Sequence, residues 1–193
     1  VTTNAQIRSW AWAKKGGLFC NSVANDVNGN IYVVGSFKDT CIIGNDTLVV
    51  PGGTANFYIA KYDPSGNVQW AKLFGSGSAP VKTVSGIGID ANSNIYISGM
   101  FTGTAVFGSD SLKGKGGKEG YVVKLAGSGI LIWAKMISNT LDDAVNGIAV
   151  DDSGYAYITG KFTNKFSLDT NVIAHAVDVF VAKLSNGGSL VWV

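Results

Sequence analysis

The sequence predicts an all-β repeat array of three antiparallel, four-stranded units, with one extra strand ahead of them. Three observations carry this. Trp12-Ala13-Lys14 recurs as Trp70-Ala71-Lys72 and Trp133-Ala134-Lys135, and Trp192 opens a further copy, at spacings of 58, 63 and 59 residues. Between the tryptophans the same short words return in the same order. Apolar residues alternate with a period of two, and no stretch keeps a helical period.

Each unit reads as four strands in turn. Gly86-Ile87-Gly88-Ile89-Asp90 and Gly147-Ile148-Ala149-Val150-Asp151 form the first strand. A turn rich in Asn, Ser, Asp and Gly follows, such as Asp152-Ser153-Gly154. The second strand carries Tyr32-Val33-Val34-Gly35, Tyr96-Ile97-Ser98-Gly99 or Tyr157-Ile158-Thr159-Gly160, with Phe37, Phe101 or Phe162 two residues after the glycine. That glycine suits close approach of a neighbouring backbone. An aspartate stands six residues before each tyrosine: Asp26, Asp90 and Asp151. Variable connections, 38–56, 102–119 and 163–177, lead to the third strand, for example Tyr121-Val122-Val123-Lys124-Leu125. Lys61, Lys124 and Lys183 each precede a tryptophan by nine residues. Asp63-Pro64-Ser65-Gly66-Asn67 and Ser185-Asn186-Gly187-Gly188 are turns in which Asn and Gly supply positive φ. The fourth strand runs through Val68-Gln69-Trp70-Ala71-Lys72-Leu73. The units span 16–74, 75–137 and 138–193. Residues 1–15 hold the extra strand, Ile7 to Lys14, which matches a fourth strand.

Composition removes several classes. Hydrophobic residues make up 46% and charged residues 15%, the reverse of a disordered chain. The 26 glycines lack the period of collagen. No apolar run approaches a membrane helix. The net charge is +2, and the one lysine group, Lys113, Lys115 and Lys118, sits among glycines as a solvated loop, so no nucleic-acid partner is expected. The start at Val1 lacks a leader pattern and is expected of a mature or excised piece.

A four-stranded sheet cannot bury both faces alone. Stacking copies around an axis solves this, which makes the expected architecture a β-propeller-type array. Propellers usually hold four to eight blades. Three units leave a wedge whose two end faces are expected to be apolar and open. Further blades of a longer chain, a ring of two copies, or a filament would each close it.

The candidate sites divide by repetition. Trp70, Trp133 and Trp192 repeat in register and are expected to pack between blades. Trp10 has no counterpart, and Trp10, Trp12 and Trp192 are the candidate assembly or ligand contacts. The repeated aspartates are expected to build turns. Ca2+ is the alternative there, weakened by the missing glutamate at the twelfth loop position. The lysines are expected to lay their stems on apolar surface and reach water or an aspartate. His175 with Asp178 and Ser167 has no equivalent in the other units, so no catalytic residue, metal or cofactor is expected. Cys20 and Cys41 fit either a disulfide or two free thiols. Asn45-Asp46-Thr47 is a formal glycosylation sequon, read as incidental.

The pattern Asp-x-x-Gly-Asn-x-Tyr-x-x-Gly-x-Phe, followed by Asp-x-Phe-Val-x-Lys-x-x-x-x-Gly-x-x-x-Trp, resembles the SBBP family, the bacterial seven-bladed beta-propeller repeat. The last unit follows it from Asp178 to Lys183, Gly188 and Trp192; the others place Asn56 and Glu119 where Asp178 stands. The resemblance implies an exported or cell-surface protein, often of bacteria that use type IX secretion. The function expected is a non-catalytic extracellular module that scaffolds, adheres or self-assembles as a homo-oligomer. A glycan-binding propeller is the alternative.

Overall fold

A computed structural model describes residues 19–50, 55–75, 81–137, 141–168 and 171–193. The expected leading strand, with Trp10 and Trp12, lies outside them. All regular structure among the described residues is β. The first sheet consists of β1 (Phe19–Asn25), β2 (Ile31–Lys38), β5 (Ala55–Tyr62) and β6 (Val68–Phe74), with the hairpin β3 (Thr40–Ile43) and β4 (Asp46–Val49) inserted between β2 and β5. The second repeats it with β7 (Val81–Ile89), β8 (Ile95–Phe101), β11 (Glu119–Leu125) and β12 (Leu131–Ile137), and the inserted hairpin β9 (Thr104–Phe107) and β10 (Asp110–Lys113). The third is β13 (Ala144–Val150), β14 (Ala156–Leu168), β15 (Asn171–Leu184) and β16 (Leu190–Trp192). All pairings are antiparallel between sequential neighbours of each sheet.

The repetition extends to irregularities. The first strand bulges at an equivalent place in each sheet, at Cys20/Ser22, Val84/Gly86 and Val145/Gly147, and β7 shifts once more at Val81/Thr83. The third-to-fourth strand register shifts at Lys61/Tyr62, Lys124/Leu125 and Lys183/Leu184. A Cβ on Gly35, Gly99 or Gly160 would collide with the carbonyl oxygen of Phe19, Thr83 or Ala144. The close approach foreseen for these glycines is therefore real, but the neighbour is the first strand of the same sheet.

Two corrections concern the variable connections. They are not plain loops. In the first two units each contains a hairpin, and in the third the strands β14 and β15 run on as one long hairpin. His175 accordingly falls inside β15 rather than in a connection; its side chain, with those of Ser167 and Asp178, is outside the described residues.

The sheets stack face to face. β7 lies against both β1 and β13, so the first strands are the inner ones and β6, β12 and β16 lie at the far edges. Tyr32, Val34, Phe57, Ile59 and Phe74 of sheet 1 share one core with Ile87, Ile97, Phe101, Tyr121 and Val123 of sheet 2 and with Ala105 and Phe107 of its hairpin. Tyr96, Val122 and Ile137 on the other face of sheet 2 pack on Val145, Ile158, Phe162, Phe180 and Leu184 of sheet 3. Every residue of β11 is buried, because both its faces are covered. The outer face of sheet 1 is not the bare surface foreseen: its own hairpin folds over it, joining Cys41, Ile43, Leu48 and Val50 to Phe37, Tyr58, Ala60 and Tyr62. Cys41 is buried within this cluster, and Cys20 is exposed with its Sγ 3.4 Å from the Tyr58 hydroxyl.

Candidate functional site

The repeated polar residues converge at one place in each unit. Each aspartate opens the turn after the first strand. Asp26 Oδ1 accepts the backbone N–H groups of Asn28 and Asn30, both at 2.9 Å, and Oδ2 accepts from Asn30 Nδ2 at 2.9 Å and from the Tyr32 hydroxyl at 3.2 Å. Asp90 does the same with Asn92, Asn94 and Tyr96. Asp151 accepts from the Tyr155 N–H and the Tyr157 hydroxyl. The turn-building role expected of these residues is present in all three. Burial alone would raise the Asp26 carboxyl, but hydrogen bonds from Asn30, Ser93 and Asn28 outweigh it and hold the pKa below its ordinary value. Burial first, and then the neighbouring aspartate, push the Tyr32 and Tyr96 hydroxyls up.

The lysines complete the cluster. Lys61 lies over the Tyr32 ring at 5.2 Å, Lys124 over Tyr96 at 4.8 Å, and Lys183 over Tyr155 at 4.0 Å and Tyr157 at 5.1 Å. Lys124 also pairs with Asp90 at 3.6 Å, both side chains buried. Hydrogen bonding to Tyr157, ahead of the other influences, raises the Lys183 pKa.

The first two clusters are sockets that the following sheet caps. Ser93, in the first turn of sheet 2, donates to Asp26 Oδ2 at 3.1 Å. One sheet further on, Tyr96 donates to the Gly154 carbonyl at 2.9 Å, and Lys124 donates to Asn186 Oδ1 at 2.7 Å. Asp26 and Asp90 are 4% and 2% exposed as a result. Asp151, Tyr157 and Lys183 remain partly exposed.

A second contact runs between the outer edges. Trp70 packs edge-on to Tyr32 and reaches the β11–β12 turn, where a Cβ on Gly129 would meet the indole at 3.1 Å and Lys72 at 3.2 Å. Lys72 donates to the Ser128 carbonyl at 2.6 Å. Trp133 repeats this over Gly188, with Lys135 beside it, and its Nε1 donates to the Asn186 carbonyl at 3.0 Å. The Trp-Ala-Lys word is thus an inter-sheet clasp. Trp192, their equivalent, packs at a tilt against Tyr157 and is 46% exposed.

The third sheet shows what the clasp and socket leave open. Ile59, Val122 and Val181 occupy equivalent positions and are 1%, 0% and 56% exposed. Val179, equivalent to buried Phe57, is also exposed. At the other end Val23 is exposed where its equivalent Ile87 is buried. Sequence reasoning foresaw the open ends but missed Glu119, which is wholly buried and accepts the Lys115 N–H at 2.6 Å, tying down the end of the β9–β10 hairpin. Its sequence signal was its place in the motif position held elsewhere by Asn56 and Asp178. Lys113, Lys115 and Lys118 are exposed, and Lys118 stands 4.0 Å from Asp142.

A cavity of about 420 Å3 lies against sheet 1, lined by Gly44, Asn45, Asp46, Tyr62, Gly66, Asn67, Val68 and Gln69. A smaller one of about 110 Å3 lies between sheets 1 and 2. Among the described residues no three or more of His, Cys, Asp and Glu are grouped as metal ligands would be.

Residues 69–100 and 132–161 match the SBBP family, described as a beta-propeller repeat. Each matched stretch runs from the fourth strand of one sheet to the second strand of the next, across the clasp. The chain is also similar to an uncharacterized WD repeat-containing protein of Acanthamoeba polyphaga mimivirus, 30% identical over 159 residues. That match covers 73% of this chain and spans 11% of the length of the relative.

Proposed function

We propose that this chain, a carrier of SBBP beta-propeller repeats, is a non-catalytic interaction module that associates with further copies of itself, head to tail, outside the cell. One observation carries the reading. The positions that sheets 1 and 2 bury under the next sheet, Ile59 and Val122, have an exposed valine, Val181, in sheet 3. Covering a valine fully is worth about 1.5–3 kcal/mol. The surface that covers such a face elsewhere in the molecule is an inner first strand, and the first strand of sheet 1 presents Phe19 and Val23 exposed. The two ends therefore complement each other, which is a heterologous contact. The extracellular setting rests on the family resemblance and on the low charge. No cofactor enters this reading, because each aspartate already accepts from its own turn.

Mixing tests it. Val181→Asp blocks one end and Val23→Asp the other. Each variant alone should lose association, and an equal mixture should give a dimer that grows no further. A mixture as inert as either variant alone would contradict the head-to-tail contact.

A further inference from the structure

We infer that the cavity on sheet 1 is a slot for a tryptophan and a lysine, and that its occupant is the chain's own Trp12-Ala13-Lys14. Gly44, Tyr62, Gly66 and Val68 of its lining correspond to Gly108, Leu125, Gly129 and Leu131 of the second unit. There the same four positions line a space of only about 110 Å3, bordered by Leu73 and Phe74 of β6, with Trp70 and Lys72 lying over its Gly129. The space on sheet 1 is about 420 Å3. Among the described residues no strand covers sheet 1 at this place as β6 covers sheet 2.

The turn that receives the indole is already shaped. Gly66 has φ +79°, and the glycines that lie under Trp70 and Trp133 have +78° and +83°. Gly44 and Gly108, at the tips of the inserted hairpins, likewise match at +62° and +59°. What β6 and β12 bring to this place is Trp-Ala-Lys, and the sequence holds one more copy of that word, at 12–14. Trp12 precedes Gly66 by 54 residues, where Trp70 precedes Gly129 by 59 and Trp133 precedes Gly188 by 55. The Lys14 ammonium then donates to the Ser65 carbonyl, as Lys72 donates to that of Ser128. Trp192 of a second copy is the competing occupant. A tethered segment has an effective concentration of about a millimolar, far above that of a dilute partner. The inference rests on the repeat equivalences, and it leaves to a head-to-tail joint the inner strands and not this slot.

Hydroxyl-radical footprinting of the full chain, read at each tryptophan by mass spectrometry, tests it. At about 1 µM chain Trp12 should oxidise as slowly as Trp70 and Trp133 and several-fold more slowly than Trp192, and its own rate should be unchanged at about 100 µM, where association covers Trp192. Val68→Phe fills the slot from beneath and should raise the Trp12 rate to that of Trp192, with Trp70 and Trp133 unchanged as the control for folding. Lys14→Glu, which alters no residue of the three described sheets, should raise it at least about two-fold by removing the ammonium. A Trp12 as reactive as Trp192 in the unaltered chain overturns the inference. So does protection that neither substitution changes, and so does protection that grows with concentration, which assigns the slot to a second copy.

Discussion

Asp90 and Lys124 form an ion pair with side chains 0% and 3% exposed. Such a pair adds little over an apolar pair, yet removing one partner strands the other charge. Asp90→Ala should therefore cost about 3–5 kcal/mol in urea unfolding. Asp151→Ala, at the partly exposed third socket, strands no buried charge and should cost clearly less than Asp90→Ala, mainly through the loss of its turn. Asp26 adds a pH dependence. Its folded pKa lies below the ordinary 3.8, so its contribution is complete above that value and is lost as the pH falls through the folded pKa. Asp26→Asn should flatten the decline in melting temperature below about pH 4. At the alkaline end Tyr32, Tyr96 and Tyr121 have raised pKa values, and stability should fall as the pH climbs past their ordinary 10.0. The aspartate, tyrosine and lysine of each socket were legible as fixed offsets within one unit. Ser93 and Asn186 were not, because they reach across to another unit and no fixed offset marks such a partner.

At the scale of elements, the meander of each unit was readable from alternation and turn residues. The hairpins β3–β4 and β9–β10 were not, since strands of four residues carry too short a pattern to stand out from a polar connection. They nevertheless act as core. Ile43 is 1% exposed in the cluster over sheet 1, while its neighbour Ile42 points to solvent. Ile43→Ala should cost about 2–5 kcal/mol in denaturant unfolding, and Ile42→Ala no more than about 0.5. Equal small effects would return this segment to the status of a loop. The glycine after each tyrosine is a second element-level constraint. Gly99→Ala drives a methyl into the Thr83 carbonyl and to 2.8 Å from the Tyr121 hydroxyl, both held by the sheet. The β7–β8 pair must part, at about 3 kcal/mol or more, read as a lowered urea midpoint.

At the scale of the whole molecule, the sequence foresaw two bare ends, and the structure divides that expectation. Sheet 1 is largely covered by its own hairpin, leaving the inner strand and the cavity; sheet 3 keeps Val179, Val181, Val191 and Trp192 exposed. The asymmetry follows from where each hairpin folds. In sheets 1 and 2 it lies on the face toward the preceding unit, so it protects a first sheet and does nothing for a last one. The claim that this last face is a joint between copies is tested most directly by sedimentation of the unaltered chain between about 1 µM and about 100 µM. The account predicts a mass that rises with concentration above 20.1 kDa and falls back to it with Val181→Asp. A constant 20.1 kDa across that range would contradict it.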